Sequence, residues 1–258
     1  MASSERAIGV LKLFTIEKPE WTVEEVATSL KVSAASAYRY VATLSEAGLL
    51  TSITSGRYTL GPAIIQYDRQ IQLTDPLLQA AKPVIADILP FAPADSTVLL
   101  CRLFRDTVLC VHQLATPDGQ IQVSYERGRP MPLFRGATSK VILAHLPLRE
   151  LRRIYDAHRE QISMTRLGDT WEMFRTCMAQ IRKRGYLVTH AEVDPERIGI
   201  SAPIMDGHRR VLGSLSYVIP ASEERTVTRL ASLVVAGAAE IEATMRSYQS
   251  TTVNGAPS

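Results

Sequence analysis

The stretch Ser33–Leu44 carries residues suited to chemistry at a surface. It reads Ser-Ala-Ala-Ser-Ala-Tyr-Arg-Tyr-Val-Ala-Thr-Leu, a helix with Ser33 as N-cap, since a serine hydroxyl can accept from a free N–H of the first turn. Ala37, Val41 and Leu44 recur at helical spacing and form an inward face. Ala35, Ser36, Arg39, Ala42 and Thr43 fall on the other side. Small residues let a backbone approach a nucleic acid closely. Hydroxyls bond phosphates or base edges, and one guanidinium can grip guanine through two hydrogen bonds. Tyr38 and Tyr40 flank this outward stripe, and helical spacing alone does not decide which of them packs. Taken in isolation, the stretch also fits an ordinary amphipathic surface helix.

The flanking elements narrow that choice. Ser4–Ile16 has helical spacing, with Ile8, Val10, Leu11 and Phe14 as its apolar side, and Pro19 closes the segment after it. Thr22-Val23-Glu24-Glu25 has the form of a capping box and opens a helix through Val26, Ala27 and Leu30. Trp21, just before it, suits a staple or core anchor. Lys31-Val32 makes a short turn, the Ser33 helix follows, and Gly48 ends it. Leu49–Thr54 and Arg57–Leu60 then flank Ser55-Gly56 as a small hairpin. Two helices joined by a tight turn, with a hairpin after them, form a winged helix-turn-helix over residues 1–61. Its hairpin places Arg57 where it could reach a phosphate or the minor groove.

Charge complicates this reading. Residues 1–61 hold six cations, Arg6, Lys12, Lys18, Lys31, Arg39 and Arg57, and six anions, Glu5, Glu17, Glu20, Glu24, Glu25 and Glu46. DNA binding draws on phosphate neutralisation. A neutral module must therefore rely on a helix N-terminus, on the hydroxyls of Ser33, Ser36, Tyr38 and Thr43, and on being presented in duplicate.

At 258 residues the chain has room for a second domain, and 46% hydrophobic content is ordinary for a globular protein. Cys101, Cys110 and Cys177 show neither zinc-site nor disulfide spacing, so free thiols are expected. No apolar run suits a membrane span, and the N-terminus lacks an apolar signal core, so a cytoplasmic protein with no membrane partner is expected. Gly61–Leu73 reads as a linker helix, and Asp75-Pro76 marks a boundary. Beyond it lie a helix at Leu77–Leu89, strands at Ser96–Leu103, Thr107–Leu114 and Gln120–Tyr125, and helices at Ser139–Ala144, Leu148–His158 and Trp171–Lys183. Strands at Tyr186–Val193, Ile198–Ile204 and Val211–Val218 follow, then a helix at Glu223–Ser247 and a small polar tail at 251–258 that should fray. This order is α+β. It contains no Gly-rich phosphate loop and no nucleophile elbow, so no catalytic residue, metal or cofactor is assigned and the chain is not expected to be an enzyme. His190, Glu192 and Asp194 alternate on one predicted strand. That pattern fits a metal site, a solvated strand edge or a pocket wall.

Several segments together resemble the isocitrate-lyase-regulator (IclR) family of bacterial transcription factors. In the first module they are Ser4-Glu5-Arg6-Ala7, the Thr22–Leu30 helix, Ser36-Ala37-Tyr38-Arg39, Gly48-Leu49-Leu50 and Tyr58-Thr59-Leu60-Gly61. Further on they are Gly128–Leu133 leading to Ala137-Thr138-Ser139-Lys140, then Ile181–Tyr186, Glu192, Ile200–Asp206 and Val211–Pro220. The resemblance implies a DNA-contacting set of Arg6, Ser33, Ala35, Ser36, Tyr38, Arg39, Thr43 and Arg57. It also departs from many relatives in one place, since Ala34-Ala35 stand where a Lys usually follows the Ser. For residues 76–250 it implies a GAF-like effector-binding and oligomerisation domain, joined to the winged module by the linker helix at 62–75. Its implied ligand segments are Gly136-Ala137-Thr138, then Thr189-His190 with Gly199 and Ser201, then Ser216 and Val218. Each hydroxyl there also fits a satisfied strand residue. Arg135 could add a charge, while Leu133, Phe134, Leu143 and Val218 could form an apolar wall suited to an aromatic carboxylate. The expected protein regulates a catabolic operon, binding operator DNA as a dimer or dimer of dimers and responding to a small organic acid. A winged helix used only for protein contacts is the alternative that the neutral first module leaves open.

Overall fold

The computed structural model describes residues 3–54, 56–117, 124 and 126–254. The chain forms two compact units, Met1–Asp75 and Pro76–Ser258.

In the first unit, α1 (Ser3–Leu11), α2 (Val23–Leu30) and α3 (Ala34–Glu46) pack around Val10, Val26, Ala37, Tyr40, Val41, Leu44 and Leu50. Helix α1 stops at Leu11, short of the expected Ile16. The Lys12 N–H donates to the Gly9 carbonyl and that of Leu13 to Val10. The chain turns there because the Leu13 carbonyl accepts the Trp21 indole N–H at 3.0 Å, which anchors the return segment. Trp21-Thr22 is a short strand, β1, that the sequence pattern did not reveal. It pairs with β3 (Arg57–Leu60), which also pairs with β2 (Leu50–Thr54), and Gly56 turns the hairpin at φ +80°.

The capping box forms as expected. Thr22 Oγ1 accepts the Glu25 N–H at 3.3 Å, and Glu25 Oε2 accepts the Thr22 N–H at 2.9 Å. That N–H, together with the ammonium of Lys18, holds the Glu25 carboxyl below its ordinary range. A lowered carboxyl stabilises the fold at neutral pH and loses that contribution as pH falls through the lowered value. Lys31, left-handed at φ +54°, makes the tight turn into α3. Helix α4 (Ala63–Thr74) closes the unit.

The second unit is a six-stranded antiparallel sheet between two helical layers. The strands are β4 (Thr97–Phe104), β5 (Thr107–Ala115), β6 (Pro130–Pro132), β7 (Leu187–His190), β8 (Arg197–Met205) and β9 (Val211–Pro220), in spatial order β6-β5-β4-β9-β8-β7. Helices α5 (Pro76–Ile88) and α10 (Val227–Asn254) cover one face, with a 3-10 turn at Ala221–Thr226 leading into α10. The other face carries α6 (Ala137–Ala144), α7 (Leu148–Ala157), the short α8 (Arg159–Ser163) and α9 (Trp171–Arg184). Short β6 and α8 were not foreseen. Helix α10 runs four residues into the stretch expected as a tail, and 255–258 lie outside the described residues. The strand expected at Gln120–Tyr125 also lies outside them except for Ser124. Among the described residues no helix is long and apolar enough to cross a membrane.

Period-two alternation splits the strands between the layers. Val98 and Leu100, Ile198 to Ile204 at even numbers, and Leu215, Tyr217 and Ile219 pack toward α5 and α10. Cys101, Leu99 and Val218 face the opposite core. The Tyr217 hydroxyl is buried and donates to the Ile88 carbonyl at 2.7 Å, and burial raises its pKa well above the usual phenol value. Tyr217→Phe should leave that carbonyl unpaired and cost about 1–3 kcal/mol, read as a lower denaturant midpoint at unchanged slope.

Candidate functional site

Two surfaces gather the expected site residues, one in each unit. On α3, burial resolves the two tyrosines. Tyr40 is 5% exposed and belongs to the core, whereas Tyr38 is 64% exposed. Ser33, Ala35, Tyr38, Arg39, Ala42 and Thr43 are all exposed, and Ser36 is half-buried. The hydroxyls are partly engaged within their own helix. Ser33 Oγ accepts the Ser36 N–H at 3.3 Å and donates to Ser36 Oγ at 3.0 Å, while Thr43 Oγ1 donates to the Arg39 carbonyl at 2.9 Å. The Arg39 guanidinium lies 5.8 Å from the Tyr40 ring, which steadies its stem. Arg57 is exposed on β3 at the wing, 3.7 Å from Glu20, a loose surface pair that another anion can replace. Arg6 is exposed on α1.

In the second unit, the strand face under α6 differs from its reverse. There β8 and β9 present Gly199, Ser201, Ser214 and Ser216. A Cβ at position 199 would lie 3.3 Å from Thr189 Oγ1 and 3.5 Å from the Ala137 Cβ, so glycine allows α6 its close seat. Thr138 Oγ1 donates to Ser216 Oγ at 3.1 Å, Ser201 and Ser216 share a hydrogen bond of 2.7 Å, and Ser214 Oγ donates to the Thr138 carbonyl at 3.3 Å. These hydroxyls therefore form a closed buried chain that fastens α6 to the sheet.

Helix α6 starts at Gly136, whose φ of +78° favours glycine and which offers no capping side chain. Its cap comes from elsewhere. The Gly136 N–H donates to Glu192 Oε2 at 2.9 Å, and the Ala137 N–H donates to Thr189 Oγ1 at 3.0 Å. Lys140, one turn on and 7% exposed at its side chain, lies 2.6 Å from the Glu192 carboxylate. Strand β7 ends at His190 rather than at Val193, because Ala191 turns left-handed at φ +51°. The expected alternation of His190, Glu192 and Asp194 is thereby broken. His190 faces outward and meets Glu224 at 2.8 Å, Glu192 turns inward to α6, and Asp194 accepts from the Ser124 N–H and hydroxyl.

Two cavities flank this arrangement. Gly136, Ala137, Thr138, Thr189, Gly199 and Val218, six of the expected ligand residues, line a cavity of about 20 Å³. That is room for about one water molecule. Beside it opens a cleft of about 450 Å³ walled by Phe134, Arg135, Lys140, Met164, Arg166 and His190, among others. Ser201 and Ser216 line neither. Leu133 and Leu143, expected as an apolar wall, are sealed in the core. Sequence reasoning missed Lys140, Arg166 and the inward role of Glu192. Lys140 stands one turn from the glycine that starts α6, which is the signal that could have marked it.

Comparison with known proteins agrees with this architecture. Residues 3–53 match the family description "IclR helix-turn-helix domain", and residues 73–243 match "Bacterial transcriptional regulator IclR C-terminal". The chain is 26% identical over 229 residues to the HTH-type transcriptional regulator KipR of Bacillus subtilis, covering 82% of this chain and 83% of that protein. Its fold is similar to that of an IclR regulator from Alicyclobacillus acidocaldarius, with a TM-score of 0.75 at 23% identity over 94% of this chain and 98% of the other. It is also similar to an IclR homolog from Microbacterium hydrocarbonoxydans complexed with 4-hydroxybenzoate, with a TM-score of 0.74 at 20% identity over 95% and 100%. The chain belongs to the IclR family and is a DNA-binding transcriptional regulator with a helix-turn-helix domain ahead of an α+β C-terminal domain.

Proposed function

We propose that this regulator reads operator DNA with α3 and the β2–β3 wing, and that its C-terminal domain senses a small organic acid, controlling a catabolic operon. The observation that carries the first half is the division of α3. One face builds the core of its unit, and the other presents Arg39 and Tyr38 to solvent. Arg39 would contact a base edge, Arg6 and Arg57 would contact phosphate or the minor groove, and Ser33, Ala35, Ser36, Tyr38 and Thr43 would let the helix sit close. The reading of an acid is supported by the cationic cleft walled by Arg135, Lys140 and Arg166. The 4-hydroxybenzoate held by the Microbacterium homolog supports an aromatic one. On this reading the acid engages Gly136, Ala137, Thr138, Thr189, His190, Gly199 and Val218, with Ser201 and Ser216 behind them. Effector and DNA then change each other's affinity by the same factor.

The reader works as a homodimer or dimer of dimers. Helix α4 leaves Ile65, Tyr67, Ile71 and Leu73 between 49% and 74% exposed; Tyr67 and Ile71 share one side of it and Ile65 and Leu73 another, apolar side chains that a second copy would cover. The neutral charge of residues 1–61 gives duplication a purpose, because each module alone neutralises few phosphates.

A gel shift on the DNA upstream of the protein's own gene tests the DNA reading. Arg39→Ala should lower specific affinity by about 1–3 kcal/mol and relax base preference. Arg57→Ala should weaken all sequences alike and reduce the salt slope by about one. An unchanged specific shift in Arg39→Ala overturns the groove assignment. Ile65→Asp with Ile71→Asp should lower both the sedimentation mass and operator affinity; unchanged mass removes α4 from the interface. In calorimetry against aliphatic and aromatic carboxylates, binding of the aromatic members is expected, and binding of aliphatic ones alone discards the aromatic preference.

A further inference from the structure

Two residues, Thr189 and Glu192, line both the small cavity at the expected effector segments and the open cleft beside it. Glu192 lines the cavity of about 20 Å³, the cleft of about 450 Å³ and a third cavity of about 270 Å³ on the α9 side. Its carboxylate takes the Gly136 N–H at 2.9 Å and the Lys140 ammonium at 2.6–2.7 Å. The donors are built in, and Lys140 is almost fully buried. A buried ammonium needs an anion beside it, and a helix start favours the same sign of charge. The requirement is for an anion with hydrogen-bond acceptors, here a carboxylate, whatever molecule carries it.

The molecule supplying it here is the chain itself, on the turn that follows β7. Residues 191–196 follow the end of β7 and contain two non-glycine residues in the left-handed region, Ala191 at φ +51° and Glu196 at φ +59°. Both hold a backbone conformation uncommon for non-glycine residues, in a turn closed by the Ala191 N–H on the Arg197 carbonyl at 2.9 Å. The Glu192 side chain is 29% exposed, so its outer edge already meets the cleft. Arg135 clasps the Glu192 carbonyl from the cleft side.

We propose that Glu192 is an internal stand-in for the effector's acid group. An incoming carboxylate takes its place against Gly136 and Lys140, the 191–196 turn moves outward, and the small cavity opens into the cleft. This rests on the reading of the C-terminal domain as an acid sensor and adds how that sensor is held closed. It makes the ligand an anion by necessity and ties its arrival to the turn that caps α6.

Removal of the stand-in tests this in the full-length protein. Glu192→Ala leaves Lys140 and the α6 start without an anion and should melt several degrees below wild type. Roughly 0.1 M sodium acetate should recover at least half of that loss, since a ligand of the folded state stabilises by mass action. Sodium chloride at equal ionic strength should not, wild type should gain much less because acetate there must displace Glu192, and Glu192→Ala with Lys140→Met should show no acetate response. Absence of acetate-specific recovery, or an equal gain in wild type, overturns the proposal. If Glu192→Ala does not fold, Glu192→Gln replaces it. A neutral amide competes less well, so benzoate should bind that variant roughly tenfold more tightly than wild type in calorimetry. Equal, weaker or absent binding overturns the proposal. Acetate recovery in Glu192→Ala with no acid binding to wild type discards the effector reading alone. Acid binding to wild type without that recovery discards the stand-in alone.

Discussion

A helix that begins on glycine has no side chain to satisfy its own first N–H groups, and α6 begins on Gly136. Those donors are met by Thr189 from the last residues of β7 and by Glu192 from the turn after it. The position of α6 is therefore set by a segment more than fifty residues away in the chain. Lys140 adds charge to the same point, and the hydroxyl chain through Thr138, Ser216 and Ser201 fastens the underside. The later turns of α6 are held by packing, through Val141, Ile142, Leu143 and Ala144 in the core on that face, so these polar groups fix its first turn in particular.

The sheet makes that joint possible by giving its two faces different work. Toward α5 and α10 its central strands carry aliphatic residues and a buried tyrosine, which is how a scaffold is made stiff. Toward α6, β8 and β9 carry glycine and serines, which bring a helix close without filling the space beneath it. On the proposed reading, a ligand site needs a firm wall and a changeable one, and strand alternation supplies both from one run of residues.

How legible this was depended on the range of each interaction. The capping box at Thr22–Glu25, the Ser33 cap, the inward positions of Ala37, Val41 and Leu44, and the presence of strands β4, β8 and β9 follow from neighbours a few residues apart, and the sequence shows them. Which of Tyr38 and Tyr40 packs could not be read, since both lie beside the boundary of the stripe and the elements packed against α3 decide the matter. The end of α1 depended on Trp21 capturing the Leu13 carbonyl, a contact across a turn. The end of β7 depended on Glu192 being drawn to Gly136 and Lys140, and alternation continued past His190 gave no warning of it. In the candidate site, the sequence located the small and hydroxylated residues but not the charges that face them, because those come from α6 and from loops remote in the chain.

The hydroxyls of α3 that bond within their own helix bear on how much a single copy can know about a DNA sequence. Ser33 and Thr43 are occupied at home, which on the proposed reading leaves Arg39 and few companions to distinguish one base from another. On the proposed reading a reader so sparing specifies a short word, and short words recur by chance throughout a genome. Meaning then lies in the grammar, in two such words at a fixed spacing and orientation, so that the symmetry of the assembled protein carries as much of the address as the letters its helix touches.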